Sequence, residues 1–176
     1  MSSGMRIIMA RSTQKTDFLK ECMADSLLQL MDGRPVEKVS VDEIVARAGV
    51  GRSTYFRNFH SKYEILVFKY QITWKRWMQE HPMKYDPLIF LGHAQSLFSY
   101  FYSMKDVTAV LYQTGTAWLL YQAIEAIVMP EEPEDIAKKY VGNYYAHALH
   151  GLLDIWIRRD YRESIEDLVR ILEEEI

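Results

Sequence analysis

Apolar residues recur at three- and four-residue intervals along most of the chain. Phe18, Cys22 with Met23, Leu27 and Leu30 with Met31 form one such stripe, the mark of an amphipathic helix facing a core. Asp32-Gly-Arg-Pro35 ends that helix, with a glycine suited to the C-terminal cap and a proline that cannot continue it. Ser40-Val-Asp-Glu43 reads as a capping box, the serine hydroxyl taking the amide three residues on while the glutamate reaches back. The helix it opens, Val41 to Ala48, is short and stops at Gly49, a residue suited to the left-handed cap. A second short helix follows from near Arg52 to near Phe59. Ser61-Lys-Tyr-Glu64 is another box and opens a long helix to Glu80, closed by Pro82 and Pro87. The pattern then predicts helices over about 87–103, 106–128, 134–159 and 164–175, the last from the box Ser164-Ile-Glu-Asp167. Strand-like alternation is missing, so the expected fold class is all-α.

Helices as short as 41–48 and 52–59 are marginal alone and need a reason to exist. Joined by a glycine-bearing turn, they have the proportions of a helix-turn-helix. Ile44, Val45 and Ala48 would form the inner face of the first, Tyr55 and Phe59 that of the second, with Val50 plugging the turn. Both would rest on the helix over 13–31, which makes a three-helix domain. The outer face of the second helix carries Arg52, Ser53, Thr54, Phe56, Arg57 and, partly, Asn58. Arginine can pair with guanine and asparagine with adenine, at about 1–3 kcal/mol of discrimination each, and hydroxyls reach phosphates. Gly51 would let a DNA backbone come close. Ser40 and Ser61 stand at helix N-termini, where free amides and the macrodipole favour phosphate, and Lys62 adds a charge beside one of them. A solvated helix end would explain any one of these residues. Their joint presence points to nucleic acid.

The formal net charge of −3 argues against that until the chain is divided. Residues 1–80 hold 13 Lys and Arg against 9 Asp and Glu, whereas residues 81–176 hold 8 against 15. Such asymmetry fits one end meeting a polyanion. The length suits one domain or a core domain with a small module, and 49% hydrophobic residues supply a packed core. The single cysteine, Cys22, excludes an internal disulfide, fits a reducing compartment and is expected as buried filler. No apolar run reaches the ~20 residues of a membrane span. Ile7-Ile-Met-Ala10 is too short for the ~7–15-residue core of a signal peptide, so no membrane association and a cytoplasmic location are expected.

From about Thr13 to Leu66 the chain resembles the DNA-binding domain of TetR-family transcriptional regulators. The resemblance rests on Val39-Ser-Val-Asp-Glu-Ile-Val-Ala-Arg-Ala-Gly-Val50, on Gly51-Arg-Ser-Thr-Tyr-Phe-Arg-Asn-Phe59, and on Ser61-Lys62 with Tyr63-Glu-Ile-Leu66, aligned without a gap. It implies a ligand-responsive repressor that binds a palindromic DNA operator as a homodimer, with an effector in the C-terminal domain. It also implies a flexible arm over 1–12, a DNA-binding domain over 13–66 whose last helix continues to about 80, and a regulatory and dimerisation domain over 81–176. By position, Ser40, Thr54 and Lys62 would contact phosphate, with Val41 beside them. Arg52, Ser53, Arg57 and Asn58 would read bases or flanking phosphates. The family usually places a phosphate-bonding tyrosine where Phe56 stands here, with the core residue before it. In this chain the tyrosine, Tyr55, takes the core slot, and Phe56 is expected against sugar or a thymine methyl. That reversal and the modest positive charge keep open an alternative, a TetR-like co-regulator that binds a protein partner rather than DNA.

Aromatic residues crowd the rest of the chain. They can fill a core or line an effector pocket, for which Trp74, Trp77, Phe101, Tyr102, Trp118, Tyr121, Tyr144 and His147 are the candidates. His147, His150 and Asp154 share a helical face, with His93 as a possible addition. Without a cysteine nearby or an evident fourth ligand they read as interface or core residues, and no metal or cofactor is expected. Leu149, Leu152, Leu153 and Trp156, with Ile165, Leu168, Val169 and Leu172, suit a four-helix dimer interface. They would otherwise complete the subunit's own core. No nucleophile–base pair or phosphate-binding glycine loop is present in the sequence, so no enzymatic activity is expected.

Overall fold

The computed structural model describes residues 3–81, 90–129 and 135–175, with side chains from Gln14 and His93 onward in the first two segments. Pro82, Pro87 and most of the acidic run before Asp135 lie outside the described residues. The architecture is all-α. Nine helices are described: α1 (Ser3–Leu30), α2 (Val41–Ala48), α3 (Arg52–Asn58), α4 (Lys62–Glu80), α5 (Phe90–Ser103), α6 (Lys105–Gln113), α7 (Leu119–Val128), α8 (Ile136–Arg158) and α9 (Ile165–Glu175). A single 3-10 turn, Val36–Lys38, links α1 to α2.

Three sequence expectations change. Helix α1 starts at Ser3 rather than near Thr13, so residues 3–12, expected as a flexible arm, are helical; Met5-Arg-Ile-Ile-Met-Ala10 contains no helix breaker. Phe18 points to solvent and Cys22 is half-buried, whereas Met23, Ala24, Leu27 and Met31 form the inner stripe. The remaining side of α1 meets α4 through charges instead: Arg76 with Glu21 (2.9 Å) and Lys69 with Asp25 (2.6 Å). The helix expected over 106–128 breaks in two. Gly115 takes a left-handed φ of 78°, the Thr116 amide donates back to the Leu111 carbonyl (2.9 Å), and Thr114 Oγ1 donates to the Val110 carbonyl (2.7 Å).

One apolar core runs from Met23, Leu27, Ile44, Tyr55 and Phe59 through α4 to Phe98, Leu120, Ile124, Leu153 and Trp156. Helix α4 belongs to both ends of it. At its middle the buried Tyr70 hydroxyl meets Thr108 Oγ1 of α6 (2.8 Å), and Tyr100 of α5 donates to the Tyr70 carbonyl (2.5 Å). Burial pushes both phenols well above the ordinary tyrosine range and keeps them neutral. Helix α8 closes on the end of α7 at Gly142, where a Cβ would fall on the Met129 side chain. Among the described residues no helix is long and apolar enough to cross a membrane.

Candidate nucleic-acid interface

The entrance to α2 is built from side chains that satisfy one another. Ser40 Oγ accepts from the Glu43 amide (3.2 Å), and the Ser40 amide donates to Glu43 Oε2 (2.8 Å). The Ser40 hydroxyl proton also goes to Glu43 Oε2 (2.8 Å), while Arg34 Nη2 reaches both carboxylate oxygens at 2.9 Å. The Ser40 amide, the Ser40 hydroxyl and Arg34 together hold the Glu43 carboxyl down at about 2. Gly49 then turns the chain with a left-handed φ of 65°, and the Val50 amide returns to the Val45 carbonyl (3.0 Å). Gly51 has an ordinary φ of −80° and leaves the start of α3 without a side-chain cap. Neither conformation nor space requires glycine there.

Helix α3 divides by face. Tyr55 and Phe59 are buried, with their rings 6.2 Å apart and Phe59 edge-on to Phe68 of α4 (6.0 Å). Arg52, Ser53, Phe56 and Arg57 are exposed, Phe56 to 59% of its surface. Thr54 and Asn58 are half-buried, and Asn58 Nδ2 turns back to the Thr54 carbonyl of its own helix (2.6 Å). Val41 packs against the core from the first turn of α2. Arg52 Nη1 lies 2.9 and 3.0 Å from the two oxygens of Asp42, and its guanidinium stands over the Phe56 ring, 5.7 Å from the centroid.

Lys62 has a different occupation from the phosphate contact expected of it. Its Nζ donates to the carbonyls of Val36 (2.7 Å), Glu37 (3.1 Å) and Val39 (2.6 Å), which uses all three ammonium protons on the 3-10 turn. The neighbouring Tyr63 hydroxyl donates to Glu37 Oε1 (2.6 Å), and its ring packs on Trp118 at 5.1 Å. The Tyr63 bond pulls the Glu37 carboxyl below its ordinary value. Sequence reasoning missed Asp42, Arg34 and Glu37. Their partners stand 10, 9 and 26 positions away, too far to leave a local periodic signal.

The residues expected to line one effector pocket are dispersed over several clusters. Trp74 and Trp77 pack on Tyr100 (4.9 and 6.1 Å), beside Phe101 at 5.0 Å from the same ring. Tyr102 stacks on Trp156 (5.7 Å), Trp118 lies tilted against Tyr63 and Tyr121 tilted against His147 (4.5 Å), while Tyr144 is exposed beside Tyr145. Helical period gives the face of each residue and leaves its neighbours on other helices undetermined. The three metal candidates have other partners. His147 Nδ1 meets the Asn143 carbonyl (2.9 Å), the half-buried His150 faces Tyr121, and Asp154 accepts from Tyr112 Oη (2.6 Å) and Arg158 Nε (2.8 Å). Among the described residues no group of three His, Cys, Asp or Glu is placed to hold a metal ion.

The residues expected at a dimer interface, or else in the subunit's own core, pack within the subunit. Leu149, Leu153, Trp156 and Leu172 are buried in the subunit, and Leu152, Ile165, Leu168 and Val169 pack against that core. Trp156 Nε1 donates to the Glu163 carbonyl (3.0 Å), which closes the α8–α9 turn. The opposite side of α8 is apolar as well. Ile136, Tyr140, Tyr144 and Ile155, each between 60% and 75% exposed, stand on it with His147 and Gly151.

Residues 25–67 match the model of a family described as bacterial regulatory proteins, tetR family. The matched span runs from the second half of α1 into the first turns of α4, so it covers α2, α3 and the turn between them. No match was found among curated proteins.

Proposed function

The chain carries the helix-turn-helix domain of the TetR family of transcriptional regulators, and from that premise we propose that it is a homodimeric, ligand-responsive repressor of a palindromic operator. The observation that carries the proposal is the outer face of α3. Arg52, Ser53, Phe56 and Arg57 are exposed together on a helix whose other side is fixed by two buried aromatics. Such a helix enters a major groove as a rigid body, with arginines for base edges and phosphates and Phe56 for sugar or a thymine methyl.

In a dimer the two α3 helices read half-sites about one helical turn, ~34 Å, apart or at multiples of it. The second copy docks on the outward apolar stripe of α8, where Gly151 leaves room for close helix approach. The effector acts by changing the spacing of the two α3 helices, with α4 as the lever. Because Trp74, Trp77 and Phe101 of the candidate set pack together on Tyr100, the effector enters by parting that cluster.

Gel shifts on the DNA upstream of the coding region test the proposal. A specific band should weaken steeply with salt as displaced counterions return, and Arg57→Ala and Thr54→Ala should each weaken it further. A band indifferent to salt, or untouched by both substitutions, refutes operator binding. Capture of a protein partner with no operator would put a co-regulator in its place.

A further inference from the structure

Arg52 is held by two neighbours on the DNA-facing side of the domain. Asp42, in the first turn of α2, engages Nη1 alone through both carboxylate oxygens, at 2.9 and 3.0 Å. Phe56, one turn along α3, has its ring beneath the guanidinium, with Cζ 5.7 Å from the ring centroid. The two side chains of the ion pair are 61% and 65% exposed, so the pair does little for the stability of the fold. Its geometry has another effect. With Nη1 occupied, the Nη2 and Nε donors remain on the free edge of the guanidinium, and two parallel donors are what the O6 and N7 atoms of guanine accept. The carboxylate itself stands on an element already fixed by the Ser40–Glu43 box. Arginine normally gives up considerable rotamer freedom on binding, and a side chain clamped beforehand gives up less.

We infer that Asp42 is a positioning and specificity residue of the DNA-reading surface: it orients Arg52 for a paired contact to one guanine, with Phe56 as the supporting plane. The inference rests on the operator-binding reading above. It also assigns a role to phenylalanine at the position where tyrosine is usual in the family. The ring supports a base-reading arginine, and a hydroxyl is not needed for that.

A negative charge at a DNA interface acts in two opposite ways, and this makes the inference testable. A carboxylate that merely repels phosphate weakens binding to every sequence, so its removal strengthens all of them. A carboxylate that orients an arginine supports binding to one sequence only. Duplexes selected from a random pool by the wild-type protein supply the preferred site. Against it, Asp42→Asn, Asp42→Glu, Arg52→Ala and the double variant combining Asp42→Asn with Arg52→Ala are titrated at two salt concentrations. Asp42→Asn should lower affinity for the selected site about tenfold, within the range of one paired base contact. It should flatten the preference at the same base pair that Arg52→Ala flattens, and Asp42→Glu should restore part of it. In the Arg52→Ala background, Asp42→Asn should instead tighten binding to all duplexes alike. A wild-type protein that selects no site overturns the operator reading and the inference with it. A selected site whose base preference survives Asp42→Asn, or a uniform gain in affinity from Asp42→Asn alone, overturns the inference and leaves the operator reading standing.

Discussion

Helices α3 and α8 both bury one face and expose the other, yet the exposed faces differ in kind. In α3 the inner side is Tyr55 and Phe59, and the outer side is polar apart from Phe56. In α8 the inner side is Leu149, Leu153 and Trp156, and the outer side is Ile136, Tyr140, Tyr144 and Ile155. A polar outer face is stable in water as it stands. An apolar stripe of that length on a surface helix marks a contact with another molecule. On the reading proposed above, the polar face of α3 meets a charged, hydrated partner and the apolar face of α8 a second copy of the chain.

The comparison breaks most visibly at α8. Leu153→Ala on the inner face should cost roughly 2–5 kcal/mol of stability in chemical denaturation, the usual range for a large-to-small change in a core. Tyr144→Glu on the outer face should leave the subunit folded and split the proposed dimer in sedimentation. A dimer that survives Tyr144→Glu would move the interface elsewhere. Next comes Lys62, which holds the entry to α4 against the 3-10 turn. Lys62→Met leaves three carbonyls without their charged donor and should cost about 1–3 kcal/mol in thermal or urea melts. Unchanged stability with weakened DNA binding would return Lys62 to the phosphate contact implied by the family.

A smaller effect follows from acid. The Glu43 carboxyl is depressed in the folded chain from 4.5 to about 2, so its contribution is complete above the ordinary value. It is lost as pH falls from there towards about 2. Glu43→Gln should therefore flatten the wild-type loss of stability across that window and leave the slope near neutrality unchanged. The smallest effect belongs to Gly51. Gly51→Ser supplies the missing cap of α3 at an ordinary backbone angle and should raise stability by a few tenths of a kcal/mol.

The same contrast explains what can be read from the sequence. The helix-turn-helix is legible because its boundaries are local chemistry: Ser40 with Glu43, Gly49 in the left-handed region, Ser61 accepting from the Glu64 amide. The two faces of α3 separate cleanly because only one of them is apolar. In α8 both faces are, so a 3.6-residue period does not say which one meets the core, and it leaves the leucines open to either reading. Gly115 lies in the short polar step Gln113-Thr-Gly-Thr116, and the helical spacing of apolar residues on both sides of it outweighs that local turn signal. Lys62 is legible as a positive charge at a helix start. Its partners are more than twenty residues earlier, on a turn whose open carbonyls only the fold brings into reach.

The contact between Tyr63 and Trp118 has an optical consequence. Of the four tryptophans, Trp74 and Trp156 are buried, Trp77 is half-buried, and Trp118 is 48% exposed. A water-soluble quencher therefore reaches the Trp118 indole ahead of the buried ones. Its ring lies against the first turn of α4, the same turn that Glu37 and Lys62 tie to the DNA-reading end. Any shift of that end against α7 changes the surroundings of a native fluorophore, so the emission of Trp118 reports on the joint without a label.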